Sequence, residues 1–362
     1  MKGRTKGWFD GLVRMAWLVA TLMASLLAIT LLFGAQEVIA ARPGQFDAQP
    51  SGATTQRPSA TTTTLLVGTS PNYWPMEYIS GTQIVGHDID LMNAVAGEMG
   101  VTVIYISVPF NELFGRLMTG AVDAVISSVS ITPARQEFVD FSLPYCRVEA
   151  WAPGENVAIV VQEGNTLLRR QINEALWKLR NDGTLEANIA AIAADVPEWQ
   201  PELPDWPYIS PGAGTTLVYT DAEELATIIQ VPGGAVTETI LTVYTPLHAA
   251  VPPPGLFFAG RAFDLDVYRH GQFLSLGIGL SVPATITIHY AESDVIGRDE
   301  ESLRLGRWNG ITGAWENAAC GPHGRHTGEN WLAVPVCHLS RFALFGEAAH
   351  TLYLPLVLRN AP

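Results

Sequence analysis

Residues 126–146, ISSVSITPARQEFVDFSLPYC, concentrate side chains that could bind an anion. Thr132 is a good helix N-cap, and Pro133 suits the first helical position because its missing N–H would be unpaired there anyway. Arg135 then falls in the first turn, where the helix dipole disfavours a cation by about 0.3–1 kcal/mol. An anion held by the guanidinium, the serine hydroxyls and free backbone N–H groups would make this placement favourable. The alternative is a surface ion pair between this arginine and a nearby carboxylate.

Three cysteines provide a second place for chemistry. Cys320 and Cys337 flank a loop, and in an exported protein we expect them to form a disulfide that contributes about 3 kcal/mol. The alternative is a zinc site made of these two cysteines and the histidines close to them, which are His323, His326 and His338. We favour the disulfide, and therefore predict no metal. Cys146 would remain as a buried thiol.

The composition limits the possible classes of function. The chain has 362 residues, of which 48% are hydrophobic and 15% charged, and its net charge is −14. This length allows two domains, and the absence of a basic cluster beyond the extreme N-terminus argues against nucleic-acid binding. No Gly-x-Ser-x-Gly, P-loop or His-Glu-x-x-His motif occurs. We therefore expect neither an enzyme nor a bound cofactor.

The N-terminus is typical of an export signal. Basic residues precede an uncharged run over 15–36, and small residues at 38–40 could be a cleavage site. The run approaches the ~20 residues needed to span a bilayer, so residues 1–41 are either a cleaved signal peptide or a retained membrane anchor. In both cases the remainder would be extracytoplasmic: periplasmic, secreted or at the cell surface.

The elements that must position the anion-binding residues lie in residues 64–190. After a Pro/Ser/Thr/Gly-rich linker at 42–63, strands alternate with helices, and the strands are continuous apolar runs. One is VTVIYIS at 101–107, which we expect to be buried. The pattern predicts an α/β lobe with a largely parallel sheet and helices on its faces.

The second half of the chain follows a different pattern. Residues 191–214 are rich in proline and predict a linker, and residues 215–347 contain short alternating strands with Gly/Pro turns. This predicts an all-β sandwich or barrel. Residues 348–362 would be a C-terminal tail whose apolar strand is too short to span a membrane.

Residues 64–146 closely resemble the first lobe of the amino-acid-type (family 3) extracytoplasmic solute-binding proteins. The resemblance rests on YWPMEY, GHDIDLMNAVAGEMG and VPFNELFGRLMTGAVDAVISSVSITPARQEFVDFSLPY, in the family's order and spacing. It implies that Tyr73 and Phe110 sandwich the ligand side chain. It also implies that Ser128, Ser130 and Arg135 bind the ligand's carboxylate. Ser127 is expected only to pack within its strand.

The chain departs from this family where the second lobe should begin. Only ten residues, RVEAWAPGEN, separate Cys146 from Val157, which is enough for a hairpin but not for a domain. Residues 157–190 resemble the strand and helix that return to the first lobe. The family's acidic residue for the ligand's ammonium group belongs to the missing lobe, and no position matches it.

Residues 215–347 resemble, less specifically, the β-sandwich domains of ankyrin and netrin-receptor proteins, through VPGGAVTETILTVYTPL, SVPATITIHY and CHLSRFALFGE. Together the resemblances imply an exported receptor lobe for an amino acid or similar small carboxylate, related to amino-acid uptake by ABC transporters. Its partners would be that ligand and an ABC-transporter permease or a second chain that closes the site. The alternative is a cell-surface structural or interaction protein whose lobe is a non-binding scaffold.

Overall fold

The computed structural model describes residues 63–150 and 154–349. The predicted signal or anchor (1–41), the linker up to residue 62 and the tail from residue 350 lie outside the described residues. Within the described ranges, no helix has the length and apolar character needed to cross a membrane.

The first part of the described chain alternates strands and helices, as expected. Its elements, in chain order, are β1 (Thr64–Thr69), β2 (Asn72–Tyr73), β3 (Glu77–Ser80), β4 (Gln83–Val85), α1 (His87–Met99), β5 (Thr102–Ser107), α2 (Leu113–Met118), β6 (Ala124–Val125), α3 (Pro133–Gln136), β7 (Val139–Val148), β8 (Glu155–Gln162), α4 (Thr166–Asn181), α5 (Thr184–Asp195) and β9 (Pro201–Glu202).

The central sheet of this lobe has the strand order β5-β1-β6-β8-β7-β9. The prediction of a largely parallel sheet is wrong for half of it: β1 runs parallel to β5 and β6, whereas the pairings of β8, β7 and β9 are antiparallel. The prediction that the 101–107 strand is buried is also wrong. That strand is β5 at the sheet edge, where Ile104 is 50% exposed.

The helices pack as their apolar spacing predicts. Helix α1 buries Ile89, Met92 and Val95 and ends at Gly100, whose left-handed backbone (φ 68°) suits glycine. Helix α4 begins after Asn165, whose side chain accepts a hydrogen bond from the Leu168 backbone N–H at 3.3 Å. Its buried stripe belongs to the same hydrophobic core as α1 and β7.

A β-hairpin stands where only ten residues separate Cys146 from Val157. Strands β7 and β8 are antiparallel neighbours, with Cys146 opposite Val157 and Val148 opposite Glu155. The expected hairpin is therefore present. Strand β8 lies within the sheet of the lobe, and its first residues lie beside the segment that follows β6. Cys146 is a free, buried thiol.

The rest of the described chain is all β. Its strands are β10 (Tyr208–Ile209), β11 (Thr215–Thr220), β12 (Ala226–Val231), β13 (Ile240–Leu247), β14 (Phe257–Arg269), β15 (Gln272–Phe273), β16 (Ile278–His289), β17 (Arg298–Asn309), β18 (Ala314–Asn317), β19 (Gly324–His326), β20 (Trp331–Leu339) and β21 (Arg341–Ala348). They form two sheets, ordered β10-β13-β14-β21-β17-β18 and β11-β12-β16-β20-β19. Apolar side chains from both sheets form one core, including Ile229, Ile286, Phe263 and Phe342.

Cys320 and Cys337 are joined by a disulfide with a Cα–Cα distance of 5.9 Å. A disulfide leaves neither thiolate free for zinc. Among residues 63–150 and 154–349, no group of three or more His, Cys, Asp or Glu side chains is arranged to hold a metal ion.

The lobe and the β region share buried contacts. Leu241 and Tyr268 of the β region belong to the hydrophobic core of the lobe. Helix α5 crosses the boundary expected at residue 190, and Trp206, within the segment expected to be a linker, is buried. Its indole N–H donates to the Pro144 carbonyl at 2.9 Å. The proline-rich segment is thus packed against the lobe.

A buried ion cluster joins the same two parts. Arg169 of α4 has no exposed surface, and its guanidinium lies 3.3 Å from Asp140 of β7 and 3.0 Å from Asp266 of β14. Asp264, two residues away on β14, is also bound by Arg341 at 2.6 Å. Because buried charges are tolerated only when paired, this cluster ties α4 to the β region.

Candidate functional site

The segment between β6 and α3, residues 126–132, forms a turn that we call the serine turn. The Thr132 hydroxyl accepts a hydrogen bond from the Arg135 backbone N–H at 3.3 Å, and Pro133 occupies the first position of α3. The predicted N-cap is therefore present. Helix α3 is only four residues long, however, so the side chains around it matter more than its dipole.

Asp88, at the start of α1, holds the serine turn in place. The Ser128 backbone N–H and hydroxyl both donate to Asp88 Oδ2, at 2.6 and 3.2 Å. Asp88 Oδ1 accepts from the Tyr145 hydroxyl at 2.7 Å, and the carboxylate is fully buried. These bonds offset the positive φ of Ser128 (46°), a conformation that non-glycine residues rarely adopt.

A second buried carboxyl lies next to Asp88. Glu77 is 1% exposed, and its Oε1 accepts from the Ser127 hydroxyl at 2.6 Å. Burial and the neighbouring Asp88 raise the pKa of Glu77 well above its usual range, and burial also raises the pKa of Asp88. The pair therefore holds one proton at neutral pH, with Glu77 neutral and Asp88 the hydrogen-bond acceptor. Ser127, expected only to pack, takes part in this network.

A cleft of about 500 Å³ is lined by Glu77 of this pair. Tyr73 and Phe110, predicted to sandwich the ligand, are 37% and 40% exposed and both line it. The Tyr73 ring stacks on Trp199, with centroids 5.4 Å apart. Burial, and to a smaller extent the nearby carboxylates, raises the pKa of Tyr73 to about 12. The described residues that line the cleft are Asn72, Tyr73, Glu77, Phe110, Ser127, Ser128 and Glu155.

Glu155, the first residue of β8, was not anticipated from the sequence. Its carboxylate lines the cleft and accepts a hydrogen bond from the Ser130 hydroxyl. Backbone hydrogen bonds from Ile131 to Asn156 (2.8 Å) and from Ala158 to Val129 (3.1 Å) hold the two segments together. The β7–β8 hairpin therefore places an acidic side chain beside the serine turn.

Ser130 and Arg135 are not among the described residues that line the cleft. The Arg135 guanidinium donates to the Ser130 carbonyl at 2.7 Å and lies 5.9 Å from the centre of the Phe110 ring. Burial lowers the pKa of Arg135, and the charge of Glu155 opposes this shift. The predicted anion-binding groups thus adjoin the cleft with Glu155 beside them.

A larger cavity, of about 660 Å³, lies between the lobe and the β region. Its most prominent cation, Arg261, is already paired with Asp221, and with Asp294 at 3.0 Å. Tyr244 in the same cavity stacks between Tyr219 and Phe263. Arg261 is engaged by these carboxylates and Tyr244 by these rings, and of the serine turn only Ile131 lines this cavity.

Residues 65–191 match the family described as bacterial extracellular solute-binding proteins, family 3. This part of the chain is a family 3 domain. A probable histidine-binding protein of Campylobacter jejuni is 36% identical over 85 residues, which are 24% of this chain and 33% of that protein. The arginine-binding extracellular protein ArtP of Bacillus subtilis is 41% identical over 81 residues, which are 22% and 32%.

Among solved structures, the arginine-bound form of domain 1 from TmArgBP is 35% identical, with a TM-score of 0.30, and the match covers 32% of this chain and 93% of that one. The chain spans about a third of the length of the two curated relatives described here. The fold is a single lobe like that of periplasmic binding proteins, followed by a large all-β region of several sheets.

Proposed function

We propose that the family 3 domain is an extracytoplasmic receptor lobe that binds an amino acid or a related small solute. The observation that carries this proposal is the cleft, which is lined by two half-exposed aromatic rings, Tyr73 and Phe110, together with Ser127, Ser128 and Glu155. Apolar walls with a few convergent polar groups are typical of small-molecule sites. The relatives named as histidine- and arginine-binding proteins support the same class of ligand.

A single lobe gives the ligand only one wall. Two-lobed receptors bury a ligand by closing a hinge, and the loss of one well-made charged contact costs about 2–5 kcal/mol. Starting from a micromolar receptor, the dissociation constant should then be roughly millimolar. We further propose that tighter binding requires a partner over the cleft, either an importer permease or a second chain.

Titration of the full chain with the standard amino acids, followed by calorimetry or ligand-observed NMR, tests this function. Tyr73→Ala and Phe110→Ala should each weaken binding at least fivefold because each removes a wall of the cleft. Phe257→Ala is the matched control, since Phe257 is a similarly exposed aromatic residue (44%) in the β region. Equal affinities in the three variants would overturn the assignment of the cleft.

A second function, that of a cell-surface structural or interaction protein, is favoured by the buried ion cluster around Arg169. Such a cluster makes the lobe a rigid support for the β region whether or not a solute binds. The full chain would then bind no amino acid or related solute even at several millimolar.

A further inference from the structure

The groups that should receive a ligand's carboxylate already have partners within the chain. The Ser130 hydroxyl donates to Glu155, and the Ser128 hydroxyl donates to Asp88. The Arg135 guanidinium donates to a backbone carbonyl, that of Ser130. A ligand carboxylate would therefore have to displace the carboxylate of Glu155 or lie next to it.

Glu155 is held in this position by backbone pairing. Ser130 and Val157 form an antiparallel bridge, and the flanking hydrogen bonds place the first residue of β8 beside the serine turn. Val148 of β7 pairs with Glu155 from the other side. This pairing fixes the main chain of Glu155, so that only rotation of its side chain can move the carboxylate.

The charges around the cleft favour a cation. Two carboxyl side chains, Glu77 and Glu155, line the cleft, and burial raises the pKa of Glu77. No lysine or arginine is among the described residues that line it, and the nearby Arg135 guanidinium donates to the Ser130 carbonyl. The half-exposed rings of Tyr73 and Phe110 can also attract a cation, beside the Trp199 ring that stacks on Tyr73 and the Arg135 guanidinium that lies 5.9 Å from the centre of the Phe110 ring.

We propose that the cleft selects an organic cation without a carboxylate, an amine or a guanidine, over the amino acid of the same skeleton. Glu155 pairs with the cation and the rings of Tyr73 and Phe110 form the apolar walls. The carboxylate of Glu155 takes the place that the carboxylate of an amino acid would need. This inference rests on the proposed function, because it concerns the ligand of the same cleft.

Arginine and agmatine test this inference, because agmatine is arginine without its carboxylate. Both are titrated into the full chain at pH 7 and fixed ionic strength. Agmatine should bind at least tenfold more tightly than arginine. In Glu155→Gln, agmatine should bind less tightly and arginine more tightly. The ratio of the arginine dissociation constant to the agmatine dissociation constant should therefore fall by about tenfold or more.

Glu163→Gln is the control for the general attraction of a dication to an acidic protein. It makes the same charge change at an exposed position that does not line the cleft, and it should leave the ratio unchanged. Tighter binding of arginine than of agmatine by the unmodified chain would overturn this inference and leave the proposed function standing. If the unmodified chain bound no amino acid or amine at several millimolar, the proposed function would fail and this inference with it.

Discussion

Replacing Arg169 with methionine should show whether the buried ion cluster holds the lobe and the β region together. In Arg169→Met, Asp266 would still pair with Arg170 at 2.7 Å, and Asp264 with Arg341 at 2.6 Å. Asp140 would lose its only cation among the described residues and would keep a backbone hydrogen bond from Gly164 at 3.1 Å. The variant thus leaves one uncompensated buried carboxylate.

Removing one partner of a buried ion pair costs about 3–5 kcal/mol, which corresponds to a fall in Tm of roughly 6 °C or more for a protein of this size. Urea and thermal unfolding, followed by circular dichroism, measure the loss. Lys178→Met is the control on the same helix, because the Lys178–Glu98 pair (3.3 Å) is exposed and should contribute less than about 1 kcal/mol.

The loss of stability in Arg169→Met should also depend on pH. Burial raises the pKa of Asp140 and Arg169 partly offsets that rise, so removing Arg169 raises the pKa further. A carboxyl with a raised pKa in the folded state contributes stability at low pH that is lost as pH rises. The deficit of Arg169→Met should therefore be smallest in acid and largest at neutral pH, and adding Asp140→Asn should recover much of it. A loss below 1 kcal/mol that does not change with pH would refute this account of the cluster.

Two further predictions concern the disulfide and the carboxyl pair. Replacing Cys320 and Cys337 with serine should lower stability by about 3 kcal/mol, as expected for a loop with a sequence separation of 17, and an unchanged urea midpoint would contradict it. Glu77→Gln is similar in size but cannot ionise, whereas the raised pKa of Glu77 makes the unmodified protein lose stability as pH rises. Between pH 5 and 9 the variant should therefore lose less stability, and parallel stability–pH curves would show that the pair does not share a proton.

Local signals in the sequence predicted the parts of the site that depend on near neighbours. Thr132 and Pro133 mark the start of α3, and the capping hydrogen bond joins residues only three positions apart. The apolar spacing of α1 likewise defines its buried face. Glu155 lies 25 residues from Ser130 along the chain, and only the pairing of two strands brings them together. Its position could have been inferred by asking which side chain a hairpin this short must place next to the serine turn.

Sheet edges and buried charges were harder to predict, for a similar reason. The apolar residues of β5 fit either a central or an edge strand, and only the complete strand order decides between them. Asp264 and Asp266 alternate with apolar residues in β14, a pattern typical of a solvent-exposed face. They are buried because arginines from α4 and β21 cover them, which no local pattern reveals.

The strength of charge selection in this cleft follows from its openness. With one wall, Glu155 stays accessible to water, so an ion pair with a ligand contributes on the order of 1 kcal/mol or less, as exposed pairs do. A cation over the half-exposed rings of Tyr73 and Phe110 adds about 0.5–1 kcal/mol. Together these terms correspond to a roughly ten- to thirtyfold preference for a cation over a neutral ligand of the same shape, and added salt should reduce the ion-pair share. Discrimination by orders of magnitude would require exclusion of water by a second wall, which this chain would have to obtain from a partner.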